Sequence, residues 1–239
     1  MINWHIGCSG FHYKHWKGSF YPEDLAQSKW LDYYCRYFST LELNVTFYRF
    51  PRLSFLQTWH KKTPDNFRFA VKTPRLITHF KQFNNATEQL SDFYNTVRDG
   101  LQEKLGCVLF QMPPRFSYSE ERMEKILNNL DNSFLNVVEF RHESWWQEDV
   151  YKELKKKNIT FCGMSHPTLP KDIVANTPLF YYRLHGEGQL YGSNYENSRL
   201  QQIVTNIKEH QQIEEAFVFF NNDINTYAVY NAQEMQKMI

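Results

Sequence analysis

Short runs of alternating or wholly apolar residues recur along the chain every ~20 to 40 residues, the rhythm of strand–helix units. The runs that read as strands are Asn3 to Cys8, Thr40 to Asn44, Phe67 to Lys72, Gly106 to Gln111, Asn136 to Arg141, Ile159 to Met164, Phe180 to Gly186 and Ala216 to Phe220. Between them lie stretches with helical character. The first is expected from Glu23 to Phe38, opened by Pro22 and two acids. Others run from Leu53 to about Lys62, Thr87 to Lys104, Trp145 to Lys157 and Arg199 to Gln211, with a last one from Thr226 onward. Ser119 before Glu120, Glu121 and Arg122 is a helix N-cap signal. His12 to Pro22, Thr46 to Pro51 and Thr73 to Phe83 read as loops, and the proline-rich segment after the sixth strand carries no full helix.

Eight strands in this order predict a TIM-barrel-like (β/α)8 fold, a closed parallel barrel formed by residues 1–239 as one domain. An open doubly wound sheet is the competing arrangement, but no G-x-G-x-x-G turn follows the first strand.

Strand parity carries the functional signal. If Leu41 and Leu43 face the helices, Glu42 and Asn44 face the lumen. The same test turns Lys72, Gln111, Glu139, Arg141, Arg183, His185 and Asn221 inward, always at the C-terminal end of a strand. Packing alone calls for Val, Ile or Leu there. Barrel enzymes build their sites at that end. Glu42, Glu139 and His185 are therefore candidates for proton transfer, and Lys72, Arg141 and Arg183 for holding a phosphate or carboxylate. The competing reading is a self-satisfied ion-pair plug, for example Glu42 with Lys72 and Glu139 with Arg183. Gly186 after His185 would admit a ligand closely. Loop residues Tyr13, Trp16, Phe47, Tyr48, His79, His142 and Trp145 form either an aromatic rim for a substrate or a packed lid. Asn221 to Asp223 also reads as a turn.

Composition narrows the partners. Lys plus Arg number 27 against 26 acids, so no global charge draws nucleic acid or an anionic membrane. The four cysteines are widely spaced and form no C-x-x-C pair, and three sit in strand runs as small buried hydrophobes. No basic, apolar leader opens the sequence, and no apolar run nears the ~20 residues of a membrane span, so a cytoplasmic protein is expected.

The stretches GCSGFHYKHWKGSFYP (Gly7 to Pro22), LELNVTFYR (Leu41 to Arg49), FAVKTPRLITH (Phe69 to His79), LGCVLFQMPPRF (Leu105 to Phe116), VEFRHESW (Val138 to Trp145), YYRLHG (Tyr181 to Gly186) and FVFFNND (Phe217 to Asp223) run in order along nearly the whole chain. Together they resemble the YecE-like proteins, the domain of unknown function 72. The resemblance implies a TIM-barrel-like fold and brings no established activity. Similar sequences often carry an acidic residue before a proline near the end of strand six; here Ser165, with His166 beside it, stands in that place.

Three functions compete on these residues. The first is an enzyme acting on a small anionic or phosphorylated metabolite, with no cofactor identified. The second is a metal-dependent isomerase, epimerase or hydrolase using Glu139, His185 and one residue of Asn221 to Asp223. The third is a nucleotide or nucleic-acid binder using loop aromatics with Arg49, Arg75 and Lys81.

Overall fold

The computed structural model describes residues 1–239. Eight parallel strands form one sheet: β1 (Asn3–Cys8), β2 (Thr40–Leu43), β3 (Arg68–Lys72), β4 (Leu105–Gln111), β5 (Asn136–Glu139), β6 (Ile159–Ser165), β7 (Leu179–Leu184) and β8 (Glu215–Phe220). Each strand from β2 to β8 pairs with its sequence neighbour, and β1 pairs with β8, giving the barrel order. The helices are α1 (Trp30–Tyr34), α2 (Val45–Tyr48), α3 (Leu53–Lys62), α4 (Thr87–Leu101), α5 (Glu120–Asn129), α6 (Glu148–Lys156), α7 (Asn197–Glu209) and α8 (Tyr227–Gln236).

The last seam, between β1 and β2, is closed differently from the rest. A single bridge joins Ser9 to Glu42. Where ladder bonds are missing, the Tyr34 hydroxyl fills in: it accepts from the Cys8 N–H at 2.9 Å and donates to the Thr40 carbonyl at 3.0 Å. Gly7 lets the two strands approach this closely, because a Cβ there would lie 2.5 Å from the Thr40 carbonyl.

Strand parity divides the core into two layers, as alternation dictates. Helix-facing residues join a large outer core. Ala70, Cys107, Leu109, Val137, Cys162, Leu179, Tyr181, Phe217 and Phe219 form a separate cluster that fills the lumen below the mouth. Ser119 caps α5, its hydroxyl accepting from the Arg122 N–H at 3.3 Å.

Several local expectations are corrected. The first helix is confined to α1, preceded by a short turn at Gln27–Lys29, because aromatic packing shapes the preceding segment instead. Tyr21 stacks on Trp30 with centroids 4.8 Å apart. The expected Thr46–Pro51 loop contains α2, which Thr46 ties to the barrel through bonds to the Leu43 and Lys72 carbonyls. The Thr73–Phe83 loop contains a wide helical turn, Leu76–Lys81, ended by left-handed Gln82 and Phe83. Gly186 is required by its own turn: its φ is +102°, and a Cβ would sit 2.3 Å from the Gln189 carbonyl.

Candidate functional site

The C-terminal ends of the strands open into a cavity of about 1000 Å³. Of the residues expected there, Tyr13, Asn44, Tyr48, Lys72, Gln111, Arg141, Arg183 and Asn221 line it. These side chains come from seven of the eight strands or the loops that follow them, and the barrel's curvature points them at one space.

The floor is an ion-paired network centred on Arg183. One terminal nitrogen donates to Glu42 at 2.7 Å and the other to Glu139 at 2.5 Å. Glu42 also accepts from the Tyr181 hydroxyl at 2.6 Å. Glu139 accepts a further bond from Arg141 Nε. Both carboxylates have no exposed surface. The expected pairing of Glu42 with Lys72 is therefore replaced: the guanidinium spans both acids, as only its fork geometry can. Burial alone would raise the Glu139 carboxyl, but Arg141, Arg183 and Lys72 draw it down to about 2.

His185 lies in the same layer, fully buried. An Arg141 terminal nitrogen sits 3.0 Å from its Nε2 and the Asn221 side-chain amide 3.1 Å from its Nδ1. Since arginine only donates, Nε2 accepts and the ring is neutral. Burial and the neighbouring Arg141 hold its pKa well below the usual histidine range.

Lys72 differs from the other cations. It is 8% exposed and faces the cavity. The nearby carboxylates are occupied by Arg183 and Arg141, and its ammonium lies 4.2 Å from the centroid of the Phe47 ring. Burial, reinforced by repulsion from Arg183, lowers its pKa from 10.5 to about 7. Three basic side chains, Arg141, Arg183 and Lys72, thus stand beside two buried carboxylates, and only the two arginines are ion-paired with them.

The same cavity holds a pair that strand parity alone does not reveal. His15, on the loop after β1, and Asp223, after β8, both line the cavity. His15 Nε2 lies 2.8 Å from one Asp223 carboxylate oxygen, and the Trp16 indole N–H donates to the other at 2.6 Å. Burial raises Asp223 to about 6, against the pull of these two partners. Ser19, Tyr191 and Ile224 to Thr226 complete the wall. The available signal was the pairing of β1 with β8, which brings the HYKHW loop beside NND.

Other expected rim residues are placed elsewhere. Trp16 and Trp145 are fully buried. Trp145 stacks on Phe140 with centroids 3.9 Å apart, among residues of the outer core. His142 is engaged with Ser144, and His79 packs edge-on against Phe47. Neither lines the cavity. Burial and the charge on Lys72 lower His79 to about 4. For the metal reading, no group of three or more His, Cys, Asp or Glu side chains converges as a metal site. Ser165 accepts from the Tyr195 hydroxyl at 2.8 Å, and His166 lies edge-on to His185 with centroids 6.0 Å apart.

Comparison with known proteins places this geometry in context. Residues 5–239 match the family described as "Protein of unknown function DUF72". The UPF0759 protein YunF of Bacillus subtilis (strain 168) is 26% identical over 92% of this chain and 90% of its own length. The UPF0759 protein YecE of Escherichia coli (strain K12) is 25% identical over 66% of this chain and 56% of its own. A crystal structure of a DUF72 family protein from Thermotoga maritima MSB8 superposes with a TM-score of 0.90 at 30% identity, covering 99% of this chain and 98% of that one. A DUF72 family protein from Enterococcus faecalis V583 shares the fold, with a TM-score of 0.85 at 21% identity.

Proposed function

The chain belongs to the DUF72 family, and on the geometry of its barrel mouth we propose that it is an enzyme acting on a small anionic or phosphorylated metabolite. The observation that carries this reading is Lys72: a buried ammonium that faces the cavity with no carboxylate partner. A buried cation is costly without a counter-charge, and a bound anion would supply one. Arg141, held in place by Glu139 and His185, stands beside it as the second ligand. Gln111, Asn44 and Asn221 supply neutral hydrogen bonds around the same space.

In this reading Glu42, Glu139 and His185 fix the two arginines, and proton transfer falls to His15 with Asp223. Those two acid–base groups line the same cavity as Lys72. Asp223 orients the imidazole by the bond to Nε2 and leaves Nδ1 for the substrate. The cytoplasm is the proposed compartment, supported by four free cysteines, three of them buried. No helix is long and apolar enough to cross a membrane.

The test is a thermal-shift and calorimetric titration with sulfate, phosphate and phosphorylated sugars. Ligand at 100 times its Kd stabilises the fold by about 2.7 kcal/mol, and Lys72→Met removes that gain. Absence of stabilisation by every anion overturns the proposal.

A further inference from the structure

A second hollow, of about 610 Å³, adjoins the cationic cavity and shares Tyr13, Asn44 and Tyr48 with it as a common wall. It lies at the mouth of the β1–β2 seam, where side chains rather than a full strand ladder close the barrel. It is more apolar than its neighbour, although Lys62, His12 and Gln27 also reach it. Phe11, Leu31, Leu43, Val45 and Trp59 line it, and Phe11 and Trp59 meet edge-to-face with centroids 6.5 Å apart. Both rings are only half-buried, so each keeps part of its surface uncovered by protein.

The shared wall carries a chemical instruction of its own. The Asn44 amide nitrogen donates to the Ser9 carbonyl at 3.2 Å, which fixes the side chain. Its carbonyl oxygen, Oδ1, is buried and has no hydrogen-bond partner within the protein. An orphan acceptor of this kind is satisfied by a donor, and Asn44 reaches both hollows. Tyr48, 65% exposed, stands over the junction.

We propose that the ligand of this site is a two-part, nucleotide-like molecule: an anionic group seated at Lys72 and Arg141, a hydroxyl or N–H donor meeting Asn44, and a planar aromatic ring seated against Trp59 and Phe11. The proposal rests on the anion-binding reading above and adds the class of molecule. Aromatic walls bind flat rings by stacking and by excluding water. An unsubstituted phosphorylated sugar would leave the second hollow unfilled. The polar sequence of anion, donor and ring follows the order in which the two lobes and their junction are arranged.

The test compares ribose 5-phosphate with adenosine 5′-monophosphate, which differ by the base, by calorimetry against the full chain. Adenosine 5′-monophosphate is expected to bind about tenfold tighter or more, as base stacking provides. Trp59→Leu keeps an apolar side chain in place and is expected to abolish most of that advantage while leaving ribose 5-phosphate affinity within about twofold. Saturation-transfer NMR on the wild type is expected to connect the base protons to an aromatic ring of the second hollow. If ribose 5-phosphate binds and adenosine 5′-monophosphate binds no tighter, or the advantage survives Trp59→Leu, the two-part ligand is refuted while the anion site stands. If neither binds, the anion-binding reading fails with it.

Discussion

Replacing Lys72 by Met is expected to make the protein more stable and less able to bind anions. The wild-type ammonium is buried beside Arg183 and Arg141, and its pKa falls from 10.5 to about 7. At ~1.36 kcal/mol per pH unit, that depression is a ceiling of about 5 kcal/mol on the cost of keeping the group charged in the folded state. Methionine has similar length without the charge, but loses the contact with the Phe47 ring, itself worth ~0.5–2 kcal/mol. A net gain of about 1–3 kcal/mol at pH 6 is expected, or ~2–4 °C in Tm for each kcal/mol at this chain length. The sign follows from linkage. Below pH 7 the lysine is charged in both folded and unfolded chains, so the full cost applies. Between about 7 and 10.5 the unfolded chain binds more protons, and wild-type stability rises with pH. The advantage of Lys72→Met therefore shrinks across that window and is gone above it. Urea denaturation of both proteins at pH 6, 8 and 10 measures this. A variant no more stable than wild type at pH 6, or an advantage that does not change with pH, refutes the reasoning.

Four further outcomes are expected. Sulfate keeps its charge over the working range, so its affinity for the wild type should fall as pH rises through about 7 and Lys72 loses its proton; a flat profile by calorimetry counts against Lys72 as the anion ligand. Arg183→Met leaves Glu42 without a cation in the barrel and Glu139 with Arg141 alone, and should cost about 3–5 kcal/mol in urea denaturation, with Glu42→Gln added to it restoring part of the loss. Trp145→Ala should cost ~3–5 kcal/mol through lost packing against Phe140, yet leave sulfate affinity unchanged, because Trp145 lies outside the cavity wall. Gly186→Ala should lower Tm even though it adds one methyl group, since both the backbone angle and the Gln189 carbonyl oppose a Cβ; an unchanged Tm would show that this turn can relax.

The fold was legible because strand parity and connection rhythm are local properties. Val138 and Phe140 outward with Glu139 inward can be read from five residues, and the same rule turned Lys72, Gln111 and Arg183 toward the lumen. The aromatic rim was less legible. Trp16 and Trp145 are apolar enough for either a lid or a core, and only packing decides: Trp145 found Phe140 and Phe116 to stack on. The length of the first helix also went astray, because the Tyr21–Trp30 stack and the Tyr34 bridge across the seam override a helical pattern in Glu23 to Phe38.

The chain's own order of residues settled that hydrophilic side chains meet at one end of a barrel, since alternation fixes which way each points. It did not settle their partners. Glu42 and Arg183 are 141 positions apart, and Glu139 and Arg183 are 44 apart. Their competition for one guanidinium depends on barrel radius and strand stagger. Only the closed structure gave both glutamates to Arg183, left Lys72 without a counter-ion, and set His15 against Asp223. Coulomb energy at these distances varies steeply with separation and burial, so the functional state of each charged group was decided in three dimensions.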